Sequence, residues 1–131
     1  MIDVSIANAV VALLVPYFKE GAEAFSKRVG EMSAEKAKAV YTEIKKKFRG
    51  DSHASESLTR IEEEPTSQGR QAVLAGELIE KMAKDPDFEK SLRKKMAEID
   101  ERERIVISAI GDGNVAGLNI INSNINTGNN K

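Results

Sequence analysis

The sequence predicts an all-α fold, a four- to five-helix bundle over residues 1–104, followed by a flexible C-terminal tail over residues 105–131 able to form cross-β on assembly. Three observations predict it. Apolar side chains recur at three- and four-residue steps through the first hundred positions, the spacing of one helical face. Capping and breaking residues interrupt that pattern at short intervals. Charge then stops: seven of the eight Asn lie in the last 21 residues, where Asp112 and Lys131 are the only ionised side chains, so the two parts of the chain obey different physics.

The first helix comes from an uncharged apolar run over residues 4–18 and continues as Val10, Leu13, Leu14, Tyr17, Gly21, Ala24, Phe25 and Arg28. Pro16 removes the hydrogen bond to the Ala12 carbonyl and crowds that turn, which predicts two helical pieces with a bend there. The run is short for a membrane span, which needs about 20 predominantly apolar residues, and Asn8, Pro16 and Lys19-Glu20 interrupt or end it. No basic residue precedes it and no small-residue cleavage pattern follows, so it reads as an internal core helix and not as a signal peptide.

Gly30 then offers a stop and Ser33 a new N-cap, opening a helix with the stripe Ala37, Val40, Tyr41, Ile44 and Phe48, which Gly50-Asp51-Ser52 closes. A shorter helix over about 54–64 turns Leu58 and Ile61 inward and ends before Pro65, because the residue before proline disfavours helical geometry. From about 67 to 84 the inward set is Gln71, Leu74, Ala75, Leu78, Ile79 and Met82. Asp85-Pro86 supplies an N-cap with proline at the first helical position. Phe88, Leu92, Met96 and Ile99 mark the final helix.

After Arg104 the β-branched triplet Ile105-Val106-Ile107 and the glycines at 111, 113, 117 and 128 argue against a helix. Ile121-Asn122-Ser123-Asn124-Ile125-Asn126-Thr127 alternates, so three Asn share one face of an extended strand. Asn114-Val115-Ala116-Gly117-Leu118-Asn119-Ile120 is a second short extended candidate. A polar terminus with too few apolar groups for a core is ordinary disorder. Low charge, no Pro and Ile alternating with Asn are, however, also what identical chains need to stack as cross-β with Asn ladders.

With 20 Lys+Arg against 21 Asp+Glu there is no basic excess, which argues against a nucleic-acid binder, and with no Cys there is neither a disulfide framework nor a thiolate metal site. His53 stands alone in a Ser-rich connection without partners for a metal or a triad. Glu62-Glu63-Glu64 point around a helix end and do not converge as an acid and a base. Gly111-Asp112-Gly113-Asn114 lacks the glycine spacing and the Lys-Ser/Thr pair of a phosphate loop, and the oxygen ligands of a calcium loop. Nothing resembles a catalytic constellation, so the expectation is no enzyme and no cofactor. Lys45-Lys46-Lys47 and Arg49 form a basic helix end with two readings, compensation of the helix dipole or contact with anionic lipid.

The two-part layout resembles the bacterial and archaeal Bell-domain proteins, a helical domain followed by an amyloid signalling motif. The resemblance is carried by Leu13-Leu14-Val15-Pro16-Tyr17, the Gly-Ala-Glu-Ala-Phe run over 21–25, Glu35-Lys36-Ala37-Lys38-Ala39, Asp85-Pro86-Asp87-Phe88 and the glycine-bounded, Asn-containing segment over 111–129. It implies an executioner of prokaryotic regulated cell death or immunity, similar to fungal HeLo-type domains. A receptor of the nucleotide-binding oligomerisation type, carrying a matching motif, would seed the tail into amyloid. The protein would be cytoplasmic at rest and at the plasma membrane when activated, with membrane lipid as its partner.

On that resemblance the membrane-active segment comprises Val10, Val11, Leu13, Leu14, Val15, Tyr17 and Phe18. The amyloid motif comprises Asn114, Val115, Leu118, Asn119, Ile120, Ile121, Asn122, Asn124, Ile125 and Asn126. The alternative is a non-lytic helical adaptor that self-assembles through its tail and recruits a protein partner.

Overall fold

A computed structural model describes residues 4–110, which form seven helices and, among the described residues, no strand. In chain order they are α1 (Val4–Glu20), α2 (Ala22–Val29), α3 (Glu31–Phe48), α4 (Ser52–Glu63), α5 (Gln68–Lys84), α6 (Pro86–Ala97) and α7 (Glu101–Ile110). The connections are short, as antiparallel packing of neighbours requires.

Helices α4, α5 and α6 follow the sequence pattern closely, because caps and stripes agree there, and α3 follows it in its stripe. Asp51 accepts from the Ala54 N–H, Ser67 from the Arg70 N–H and Asp85 from the Asp87 and Phe88 N–H groups, so α4, α5 and α6 each begin on a side-chain N-cap. Their expected inward residues Leu58, Ile61, Leu74, Leu78, Met82, Phe88, Leu92 and Met96 are all buried, as are Ala37, Val40, Ile44 and Phe48 of α3.

Three local expectations need correction. The helix does not break at Pro16: α1 runs through it to Glu20, and the chain bends by 111° between α1 and α2 at Gly21. Pro16 is buried inside α1, where packing on all sides offsets the missing backbone bond, whereas Gly21 takes φ +86°, a conformation open to glycine at little cost. Ser33 is no N-cap. Gly30 occupies the cap of α3, and Ser33 lies in its first turns, buried, donating to Glu103.

The third correction is the largest. Ile105, Val106 and Ile107, expected to be non-helical, belong to α7, which crosses the anticipated boundary at 104 and adds to the helix count. Asp100 and Glu103 form a reciprocal capping box: the Glu103 N–H donates to Asp100 Oδ1 at 2.8 Å, and the Asp100 N–H donates to Glu103 Oε1 at 2.8 Å. Ile107 and Ile110, three residues apart, are buried. Packing of that stripe outweighs the modest helix penalty of β-branched residues, which amounts to only a few tenths of a kcal/mol each.

Candidate functional site

The core is organised around α1. Every residue from Ala9 to Tyr17 is buried, together with Ala7, so the helix is apolar around its whole circumference. A helix of that kind has no solvent face and must be enclosed. It packs against each of the other six helices. Of the expected membrane-active residues, Val10, Val11, Leu13, Leu14, Val15 and Tyr17 are therefore buried in the described state, and Phe18 is partly buried against the core. No described helix is long and apolar enough to cross a membrane by itself; α1 and α2 meet that test only as a bent pair.

Polar and aromatic contacts close the C-terminal end of α1 onto its neighbours. Tyr17 meets the Phe25 ring edge-on, with centroids 5.4 Å apart, and Phe18 meets Tyr41 at 5.3 Å and 80°, so four rings join α1, α2 and α3 around the bend. Arg28 reaches back across the bend to Glu20 at 3.4 Å. Tyr41 donates to Glu62 at 2.7 Å; burial and that bond push its phenol up to about 12. The Lys19 ammonium donates to the Ile110 carbonyl at 3.5 Å, tying the end of α1 to the last residue of α7.

α7 is held at its other end by Glu103. Burial opposes ionisation of this carboxyl. Donation from the Ser33 hydroxyl, the Asp100 N–H and the Lys36 ammonium outweighs the burial and holds it below the ordinary carboxylate range. Lys36 lies 3.1 Å from Glu103 Oε1 and also donates to the Glu98 carbonyl at 2.7 Å. One cluster thus fastens the start of α7 to the first turns of α3, and Ile107 and Ile110 seal it against the core.

Two further carboxylates are held low at the opposite end. For Asp51 the causes are the Lys81 ammonium, then the Ala54 N–H; for Asp85, the Lys47 ammonium, then the Phe88 N–H. All three groups have depressed folded-state values, so their stabilisation is complete above the unfolded values, 3.8 for Asp and 4.5 for Glu. It is lost as pH falls through the folded ones. Urea midpoints should be flat from pH 7 to about 5 and fall steeply below about 4. Glu103→Gln should shift the start of that fall to lower pH; an unchanged acid profile would contradict the role given to this cluster.

A groove of about 1000 Å³ runs between α3 and α6 over Phe88. Two of its four lysines are paired, Lys47 with Asp85 and Lys95 with Glu43 at 2.8 Å. With Glu35 and Asp87 also present it has no charge preference. Among the described residues no three His, Asp or Glu side chains gather into a metal-binding group. His53 sits exposed at a helix start, 3.1 Å from Glu77. The expected amyloid-motif residues, Asn114 to Asn126, lie outside the described residues.

Sequence reasoning missed α7 and the Ser33–Glu103–Lys36 cluster. A signal for α7 was present in Asp100-x-x-Glu103 followed by Ile107 and Ile110 at helical spacing. The contact between Ser33 and Glu103, 70 residues apart, has no local signature.

These features define a class of protein: a domain all-helical over its described residues, which encloses its most apolar helix within six others and is followed in sequence by an Asn-rich segment. The family model of the Het-E N-terminal domain matches residues 3–131. The chain belongs to that family, one of helical, HeLo-related cell-death domains. Comparison with curated proteins and with solved structures gives no match.

Proposed function

We infer that this protein is a membrane-perturbing executioner of regulated cell death, activated when a receptor templates its C-terminal segment into amyloid. The observation that carries this reading is the state of α1: the most apolar segment of the chain is present, continuous and sequestered. Enclosure makes the resting form inert. Release of the same side chains would create a surface that only a bilayer or other copies could cover.

The second support is the tail, whose alternating Ile and Asn suit stacking between identical chains. Assembly there would crowd many helical domains together and raise their effective concentration, so weakly inserting helices could act as a group. Straightening the bend at Gly21 would extend α1 towards α2, the pair that together reaches the length and composition of a span. The action is by assembly and packing, without catalysis or cofactor. The resting location is the cytoplasm and the site of action is the plasma membrane.

The test joins both halves. Full-length protein seeded with fibrils of its own 111–131 peptide should become thioflavin-positive and release dye from liposomes, and Ile125→Pro should abolish both by removing a ladder donor. Fibrils without dye release, with recruitment of a soluble partner, would favour the adaptor reading. Neither fibrils nor release would overturn both.

A further inference from the structure

The geometry points to the basic end of the bundle as a docking surface for an anionic membrane. This rests in part on the function proposed above, since it names the surface that first meets the bilayer. At that end α3 and α5 finish while α4 and α6 begin, as the pairs Lys47–Asp85 and Lys81–Asp51 (2.5 Å) require. Six cations gather there: Lys45, Lys46, Lys47, Arg49, Lys81 and Lys84. The carboxylates at that end are Asp51, Asp85, Asp87 and Glu80; Asp51 and Asp85 are engaged by Lys81 and Lys47 and also cap α4 and α6. Lys45, Lys46, Arg49 and Lys84 are exposed and form no ion pair among the described residues; Lys45 lies 5.6 Å from the centre of the Tyr41 ring.

Helix dipoles favour this placement locally, since Lys45, Lys46 and Lys47 lie in the last turn of α3 and Lys81 and Lys84 in that of α5. They leave Lys45, Lys46, Arg49 and Lys84 without a carboxylate partner and open to an external anion. Elsewhere the exposed carboxylates are largely matched: Glu63 and Glu64 pair with Arg70, and Glu62 accepts from Tyr41. The basic end therefore carries a local excess of unpaired cations although the chain is nearly neutral, with a formal net charge of −1. Near an anionic bilayer such an excess turns that end of the molecule towards the surface. A single-stranded nucleic acid is a poorer fit, because Phe48 and Phe88 are buried and Tyr41 is engaged by Phe18 and Glu62, which leaves no free ring for base stacking at this end.

Flotation with vesicles tests this on the full chain. Wild-type protein should co-float with phosphatidylcholine–phosphatidylserine vesicles and not with phosphatidylcholine alone, and salt should release it as the screening length falls from about 10 Å at 0.1 M to about 3 Å at 1 M. Each surface cation is worth about fivefold in partition. Changing Lys45, Lys46, Arg49 and Lys84 together to Gln should thus cut binding roughly a hundredfold or more, with the helical circular dichroism unchanged. A control changing Lys27, Lys38, Lys94 and Arg102 to Gln removes equal charge elsewhere and should leave most binding intact.

Equal loss in both variants, or equally tight binding to duplex DNA, would overturn the assignment. Seeded dye release separates this from the functional reading. Release that survives the basic-end variant with binding undiminished overturns the docking surface alone. Binding that obeys the prediction without any release overturns the executioner reading alone.

Discussion

Leu14→Ala should destabilise the bundle by about 2–5 kcal/mol, the range for removing a fully buried leucine. Leu14 is 0 % exposed in a helix with no solvent face, so no side of the cavity can be filled by water or by a shift towards the surface. A domain of this size is stable by only about 5–15 kcal/mol, and the upper part of the range leaves it close to unfolding at growth temperature. Leu14→Asp should not fold at all, because an unpaired carboxylate at that site would have to be buried. Val4→Ala, at a position 51 % exposed near the start of the same helix, should stay within about 0.5 kcal/mol. Urea denaturation of the three variants decides it: near-equal midpoints for Leu14→Ala and wild type would mean that α1 is not the hub of the fold. Under the proposed function Leu14→Ala should also lower the amount of seed needed for dye release, since extraction of α1 becomes easier.

Cutting the chain at 104 should be far more damaging than cutting it at 110. Both truncations remove the Asn-rich segment, and they differ only by the second half of α7. Loss of Ile107 and Ile110, 1 % and 4 % exposed, forfeits about 1.5–3 kcal/mol each. It also removes the carbonyl that Lys19 reaches and uncovers the faces of α1 and α2 against which α7 packs. The 1–104 chain should therefore unfold at a urea concentration well below that of 1–110, by an amount corresponding to roughly 3–6 kcal/mol. Equal midpoints would restore the boundary at 104 that composition suggests.

Most of the bundle was legible from local signals. In α4, α5 and α6 a side-chain cap, an apolar stripe and a stop residue all point the same way, so position along the chain suffices to place them. The exceptions are informative. Pro16 is a valid breaking signal, overridden because α1 is surrounded, while Gly21 five residues later bends the chain because it alone tolerates the positive φ needed there. Ser33 has the chemistry of a cap, but its hydroxyl is used by Glu103 on α7. The β-branched triplet at 105–107 was read by propensity, a weak preference, against the stronger term of two buried isoleucines.

The candidate site divides in the same way. The apolar character of residues 10–18 and the basic cluster at 45–49 are properties of composition and needed no structure. That α1 lies at the centre, touching all six other helices, is a matter of relative placement that one sequence does not encode in any local pattern. The gathering of cations from α3 and α5 is likewise invisible to a net charge near zero, because it depends on which helix ends meet.

By itself the sequence determined an all-α domain, the faces most of its helices bury, the segment apolar enough to leave water, and the change in chemistry towards the Asn-rich end. Each of these follows from side-chain type at short range. Only the tertiary structure decided that α1 is enclosed, that α7 closes the bundle through Glu103, Ile107 and Ile110, and that the cations of α3 and α5 gather on one end. Those features arise from contacts between residues tens of positions apart, where packing and pairing free energies exceed the local preferences that a linear pattern records.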